Sequence, residues 1–349
     1  MQRPTYIVPS SRDTLWCLLC SLFIILSNTA SAQDFVSDYK AAINDNTQAM
    51  YAVGKHYENG IEVNQNNKEA LKWYLKAARK GHTKAMCQAG YFYTEGKGVA
   101  TNYDKALLWY KKAAVKNNKN ACYAMGLLYR DGKGVPKDDQ QALTWFLKAA
   151  TQQLPEAMVA AALLYEKGGT TVDKNLTKAI DWYTRAAHKD DISADYRLGL
   201  LYHTTDQDTL RSDTKALSHF KKAATKGNAA AMYEIALLRL ANHPEEGISW
   251  LQQSASYGHT IAMRHLAMVY SKGTATIAKD MWLSYTWYKK AAEKHDIEAM
   301  YQLSRIYHNG LGVTPNEEAA QKWLKFAADR GHQEALIALN QHSLSANQK

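Results

Sequence analysis

Residues 85–93 read Ala-Met-Cys-Gln-Ala-Gly-Tyr-Phe-Tyr, a Gly96-Lys97-Gly98-Val99 turn follows, and residues 106–114 read Ala-Leu-Leu-Trp-Tyr-Lys-Lys-Ala-Ala. Ala85, Met86, Ala89, Gly90 and Tyr93 recur at helical spacing and share one face. The turn glycines end that helix through the left-handed conformation, and Val99 points back to the core. A second helix opens near Asn102-Tyr103-Asp104 and buries Ala106, Leu107, Trp109, Tyr110, Ala113 and Ala114. The same pattern starts again at Ala49, Ala121, Ala157, Ala194, Ala231, Ala262 and Ala299, with steps of 36, 36, 36, 37, 37, 31 and 37 residues between successive copies. A ninth start, Ala335, runs into the C-terminus. Self-similarity at this period predicts an all-α stack, in which each helix pair buries its apolar face only against its neighbours.

Packing should follow from alternating sizes. Small residues such as Gly90 and Ala113 let helices approach, and Tyr93 and Trp109 fill the remaining space. Trp109 is matched by Trp73, Trp145, Trp182, Trp250, Trp287 and Trp323. A tryptophan at a fixed repeat position is expected in the core, where truncation to alanine costs about 3–5 kcal/mol. Copies five to seven depart from the pattern. Copy five has His203-Thr204-Thr205-Asp206 in place of the glycine turn and His219 in place of Trp. Copy six puts Arg239 at the Tyr position and has a short Ala241–Pro244 connection, while copy seven carries Ala275-Thr276-Ile277-Ala278.

These residues resemble the Sel1-like repeat family, relatives of the tetratricopeptide repeats with a longer unit and a Gly-rich turn. The resemblance covers residues 49–334 as eight repeats. It implies a right-handed α-solenoid of antiparallel helix pairs, whose first helices line a concave groove. Residues 33–48 then resemble an orphan second helix, with Phe35, Ala41 and Ala42 aligned to Leu71, Ala77 and Ala78. Residues 335–349 comprise a capping helix to about 340 and a disordered tail.

By the same resemblance, three positions of each first helix face the groove. The first gives Tyr51, Tyr123, Tyr196, Tyr233, Arg264 and Tyr301, with Cys87 and Val159. The second runs from Lys55 and Tyr91 through Leu127, Leu163, Leu200, Leu237 and Met268 to Arg305; the third includes Glu58, Arg130, Glu166 and His308. Tyrosine gives contact area at little entropic cost, and an apolar floor suits a peptide segment. The Leu row is equally consistent with core shared between adjacent first helices. Arg130, Arg264 and Arg305 are the candidates for reading a carboxylate, which the guanidinium fork fits bidentately. The candidate partner-binding residues are therefore Tyr51, Tyr91, Tyr123, Arg130, Tyr196, Tyr233, Arg264, Tyr301 and Arg305.

The first 32 residues stand apart from the array. Arg3 and Arg12 precede an apolar run, Leu15–Leu26, too short for a stable membrane span. With Ala30-Ser31-Ala32 behind it, the segment reads as a cleavable leader cut after Ala32, and the mature chain as periplasmic or secreted. The chain carries 43 Lys and Arg against 33 Asp and Glu, a net of +10, of which +9 survives the cut. The excess collects late in the second helices, as in Lys111, Lys112 and Lys116, where cations complement the helix dipole. A basic stripe touching an anionic envelope polymer is the competing reading. No nucleic-acid-binding motif is present. Only Cys87 and Cys122 survive the cut, and packed helices about 8–10 Å apart usually exceed the reach of a disulfide.

Chemistry is sparse. Ser37–Lys40, Ser212–Lys215 and Ser218–Lys221 match Ser-x-x-Lys, but the Ser-Asp-Asn and Lys-Thr-Gly elements of a β-lactamase-like hydrolase are missing. His82, His259 and His332 each follow a turn glycine and read as structural. No phosphate loop or metal-ligand spacing occurs, and no cofactor is expected. The residues point to a non-enzymatic scaffold for a protein or peptide in the bacterial envelope or outside it, where host interaction is one role. The alternative is a glycan-contacting accessory of cell-wall or exopolysaccharide metabolism.

Overall fold

The computed structural model describes residues 34–274 and 277–346. The expected leader, its cleavage point and the last three residues lie outside them. The chain divides into two compact units, one reaching Ala157 and taking in Gly169–Asp173, the other running from Met158 to Gly168 and from Lys174 onward. The first unit contains α1 (Phe35–Ile43), α2 (Thr47–Asn59), α3 (Asn67–Arg79), α4 (Thr83–Glu95), α5 (Tyr103–Val115), α6 (Lys119–Asp131) and α7 (Asp139–Ala150). The second is formed by α8 (Pro155–Lys167), α9 (Leu176–Ala187), α10 (Ile192–Thr204), α11 (Asp213–Thr225), α12 (Ala229–Leu240) and α13 (Pro244–Ser256). It continues with α14 (Thr260–Lys272), α15 (Met281–Glu293), α16 (Ile297–Asn309), α17 (Glu317–Ala328) and α18 (Gln333–Ala346). The helix α18 extends six residues past the expected end of the cap near 340.

Polar caps set where the helices begin. Asn46, Asn66, Asn102 and Asn118 each accept the backbone N–H three residues on, at 2.9–3.1 Å, satisfying a donor the helix cannot. In the turns, Gly98 has φ +67, and a Cβ there would lie 2.5 Å from the backbone of Asn67 and Lys68, so the turn of copy two rests on the start of α3. Copy one has Glu62 at this position with φ 61. Its carboxylate accepts the Phe35 N–H at 2.6 Å and thereby ties α1 to the array.

First and second helices of a copy pack as hairpins, α2 on α3, α4 on α5 and α6 on α7, and in the second unit α10 on α11, α12 on α13, α14 on α15 and α16 on α17. The hairpin core corrects the expectation for tryptophan. Trp73 and Trp109 are buried, but Trp145, Trp182, Trp250, Trp287 and Trp323 are only half-buried. The deepest ring is the next residue, with Tyr74, Phe146, Tyr183 and Phe220 all at 0% exposure. The reason is the glycine of the first helix. A Cβ on Gly90 would lie 2.7 Å from the Tyr110 ring, and one on Gly126 would enter the Phe146 ring. Only the ring after Trp points along the direction of that close approach.

The tryptophans instead lie at the edge of the core beneath a cation three residues on. Lys76 sits 4.0 Å from the Trp73 ring centre, Lys112 4.8 Å from Trp109, Arg185 4.7 Å from Trp182 and Lys290 4.2 Å from Trp287. Part of the basic excess is thus committed to covering aromatic faces. In copy five the Trp position holds His219, whose Nδ1 lies 3.0 Å from Oδ1 of the buried Asp195. Asp195 replaces the methionine of the pattern, so a polar His–Asp contact takes the place of an apolar one. Cys87 and Cys122 are free thiols, as expected.

Phe146→Ala should cost about 3–5 kcal/mol in chemical denaturation, and Trp145→Ala clearly less. Gly126→Ala should cost about 1–3 kcal/mol by overpacking against Phe146. Equal costs for the two aromatic truncations would return the core to the tryptophan row.

Candidate functional site

The predicted site residues separate into those on open cavities and those covered by side chains of the same or the next copy. Tyr51 stacks on His82 with ring centres 4.8 Å apart, and Tyr301 on His332 at 4.4 Å. Tyr196 leans on Phe220 at 6.1 Å. The histidines do two jobs. His82 Nδ1 accepts the Ala85 N–H at 3.1 Å, capping α4, while Nε2 meets Gln48 Oε1 at 2.9 Å. Burial, then Lys84, lowers the His82 pKa, which favours the neutral ring that this cap requires. The sequence placed these histidines at a turn; the following Ala-Met start was the signal for a cap, and the stack on the preceding tyrosine had none.

Third-row residues serve the hairpin more than the groove. The Tyr74 hydroxyl donates to Glu58 at 2.6 Å, and the Tyr183 hydroxyl to Glu166 at 2.5 Å. Where the second helix has phenylalanine, the third-row side chain turns to a nearby acid. His203 Nδ1 lies 2.7 Å from Asp213 Oδ1. Arg130 donates from Nε to Asp131 Oδ1 at 2.7 Å and from Nη2 to Oδ2 at 3.1 Å. The Arg130 fork is therefore already occupied by its neighbour's carboxylate.

In the first unit, Tyr91 and Tyr123 share a cavity of about 440 Å³ between α4 and α6, together with Cys87, Thr94, Leu127 and Leu128. Tyr91 is 36% exposed at its rim, with Lys97 Nζ 4.8 Å from its ring centre. The second-row Leu127 faces this cavity and is half-buried. Burial, then nearby Cys122, pushes the Cys87 thiol up to about 12, so it stays protonated and unreactive at neutral pH.

The second unit has a cavity of about 700 Å³ walled by α12, α14, α15 and α16. It brings Tyr233, Arg264 and Arg305 together, three of the nine predicted residues, beside Met268 of the second row. Arg264 Nε lies 3.2 Å from Asp296 Oδ2, and Arg305 Nη1 donates to Gln302 Oε1 at 3.3 Å. Burial raises the carboxyl of Glu298, but hydrogen bonds from Gln302 and His332 outweigh it and hold the group below its ordinary range, hence ionised. Sequence reasoning missed His265, Ser284, Glu298 and Gln302, which complete the wall. Among the described residues, no group of three or more His, Cys, Asp or Glu is placed to hold a metal ion. Of the Ser-x-x-Lys serines, Ser212 caps α11 with its Oγ 3.3 Å from Lys215 N, and Ser37 and Ser218 are exposed on helix surfaces.

The Sel1 repeat model matches eight consecutive stretches, from residues 47–82 through 297–332, with boundaries at the helix hairpins. The chain belongs to the Sel1 repeat family. Sel1 repeat proteins are generally protein-interaction scaffolds without catalysis. A Sel1 repeat protein from Oxalobacter formigenes aligns with a TM-score of 0.74 at 24% identity, over 98% of this chain and 97% of that one. A protective antigen present in uropathogenic Escherichia coli strains aligns with a TM-score of 0.66 at 28% identity, over 90% of this chain and 68% of that one. Chitin synthase regulatory factor 2 of Schizosaccharomyces pombe is 35% identical over 81 residues, 23% of this chain; the match spans 16% of that protein's length. Among the described residues, no helix of this Sel1 repeat protein is long and apolar enough to cross a membrane.

Between Tyr196 and Tyr233 lies a titratable group that the pattern did not flag. Burial pushes the Glu234 carboxyl above its ordinary range, with His203 opposing. The folded state thus favours protonated Glu234, a contribution complete below the unfolded carboxylate pKa of about 4.3 and lost as pH rises through the folded value. Glu234→Gln should raise the thermal midpoint at pH 7, and the gain should vanish below about pH 4. A gain that persisted in acid would mean that Glu234 acts through packing rather than charge.

Proposed function

We propose that the protein is an exported, non-enzymatic scaffold that holds a partner protein or peptide on the faces of its first helices. The observation that carries this reading is the cavity of copies two and three. There Tyr91 and Tyr123 flank Leu127 and leave an aromatic and apolar hollow that no other element fills among the described residues. Such a surface suits an apolar side chain from an extended or helical segment. The residue pattern of the first 32 positions supports export, to the periplasm or the medium. The likeness to a protective antigen of uropathogenic E. coli supports an exposed, host-facing location.

A second reading is favoured by the names of two curated relatives, a chitin synthase regulatory factor and a chitin synthase regulator. They support a regulatory accessory of polysaccharide synthesis, whose partner would be a synthase or its glycan. Both relatives match only part of this chain, 23% and 28% of its length.

Two measurements test the scaffold. Affinity capture by residues 33–349 should retain a partner that Tyr91→Ala/Tyr123→Ala loses, with folding verified by circular dichroism. Equal capture by both would place the contact elsewhere, and recovery of glycan alone would favour the second reading. Expressed with its leader, the protein should be recovered from the periplasm or medium with Gln33 as its first residue. An intact leader on cell-retained protein would contradict export.

A further inference from the structure

Copy seven departs from the repeat at two positions on the second unit's cavity. Arg264 stands where other first helices carry tyrosine, cysteine or valine. Ser284 stands where the second helices of the other copies carry alanine or, in copy six, glycine. Ala70, Ala106, Ala142, Ala179 and Ala216 at this position are wholly buried, and so is Ser284, at 0% exposure. A hydroxyl there gains nothing from packing that a methyl would lack. Moreover, neither Ser284 Oγ nor Arg264 Nε makes a hydrogen bond, two of the three such buried side-chain atoms among the described residues, and both residues line this cavity. Arg264 Nε is ion-paired with Asp296 Oδ2 outside hydrogen-bond geometry, so the Ser284 hydroxyl is the buried donor left without a partner, and such a donor is costly unless an acceptor reaches it.

The charge of the walls says what kind of acceptor. Arg264, Lys272, Lys279 and Arg305 face it against the single carboxylate of Glu298, which already receives hydrogen bonds from Gln302 and His332. Asp296 serves two groups, its Oδ2 lying 3.2 Å from Arg264 Nε and its Oδ1 capping α16 through the Ala299 N–H at 2.8 Å, so the excess that remains uncompensated is that of Lys272, Lys279 and Arg305. Arg305 is exposed and, among the described residues, has no carboxylate within 4.0 Å. A single negative group would leave this excess uncompensated; consecutive acidic side chains would not. Ile261, Met268 and Leu311 supply an apolar wall between the charges, and about 700 Å³ accommodates several side chains.

We propose that this cavity binds an acidic peptide segment of the partner, in which two or more Asp or Glu residues flank an apolar one. One carboxylate accepts from Ser284 Oγ–H and the Arg264 guanidinium at the floor. A second meets Arg305 at the mouth, and the apolar side chain rests on Met268 and Leu311. This assignment deepens the scaffold reading and rests on it.

The test selects random dodecapeptides, displayed as internal segments without free C-termini, on the folded chain of residues 33–349. The leading peptide is then made in blocked form, with a counterpart carrying Gln for each Asp or Glu, and titrated by fluorescence anisotropy. An acidic-apolar consensus is expected, with the Gln counterpart at least about tenfold weaker, because hydrogen bonds to charged groups are the strong ones. Arg264→Gln and Arg305→Glu should each weaken binding by about tenfold or more. Ser284→Ala should weaken it severalfold yet leave the thermal midpoint of the free chain unchanged or higher, since the hydroxyl has no partner to lose. That pair of results separates a ligand contact from a structural one. A lower midpoint with unchanged affinity for Ser284→Ala would overturn the assignment. So would a neutral or basic consensus, displacement by inorganic phosphate at constant ionic strength, or peptides that bind both arginine variants as well as the native chain. Absence of any selected peptide while partner capture through Tyr91 and Tyr123 persists would remove this site and leave the scaffold; loss of both would remove the scaffold too.

Discussion

The contact between a second-helix ring and a first-helix glycine fixes how closely the two helices of a hairpin approach. At Gly54, Gly90, Gly126 and Gly199 a Cβ would lie within the van der Waals envelope of Tyr74, Tyr110, Phe146 and Phe220 respectively. With the ring lying flat across that gap, its far edge reaches the open face of the first helix. Where that edge carries a hydroxyl, the third-row residue meets it, as Glu58 and Glu166 do and as Thr94 does at Tyr110. Tyrosine recruits Glu58 or Glu166, whereas phenylalanine leaves Arg130 and His203 to find acids of their own. The same contact that holds a hairpin together therefore shapes the polarity of its exposed surface.

Stacking of copies adds a second constraint. A histidine that caps a first helix must be neutral at Nδ1, and its ring plane is then set by the backbone donor it serves. That plane covers the first-row tyrosine of the preceding copy, Tyr51 by His82 and Tyr301 by His332. Regular copies with this cap consequently offer little free tyrosine surface. Where the cap is Asn118, the helix is capped without a ring, and the first-row residue of the preceding copy is Cys87, which lines the cavity of Tyr91 and Tyr123.

The architecture was legible because it is periodic. Helix ends and small residues recur every 36 or 37 residues in all but the 31-residue copy six, so each copy repeats the signal of the others. Ring direction was less legible: Trp109 and Tyr110 are adjacent, and composition alone favours the larger as core. Only the position of Gly90 relative to both, one turn and a helix away, decides for tyrosine. Among candidate site residues, Tyr91, Tyr123, Tyr233, Arg264 and Arg305 were recoverable from their row and do line cavities. Arg130 stands in the third row and Arg305 in the second, but neither row shows that the Arg130 fork is already filled by Asp131 beside it. Ser284 was visible as a break in an alanine column, but its meaning required knowing that the hydroxyl goes unpaired.

A repeat protein gains stability from sameness and specificity from exceptions. Neighbouring hairpins share one core plan, so a buried polar substitution confined to one copy is expected to bring its partner with it, as Asp195 does with His219. Arg264 and Ser284 do not recur, sit on different helices of one copy, and share one cavity. Independent drift would scatter such changes over solvent-facing positions, where they cost nothing. Placing a hydroxyl at a wholly buried position without a partner has a cost that drift on its own does not remove. Such a cost is tolerable when a bound group satisfies the donor, and the cations along the same walls define that group as anionic.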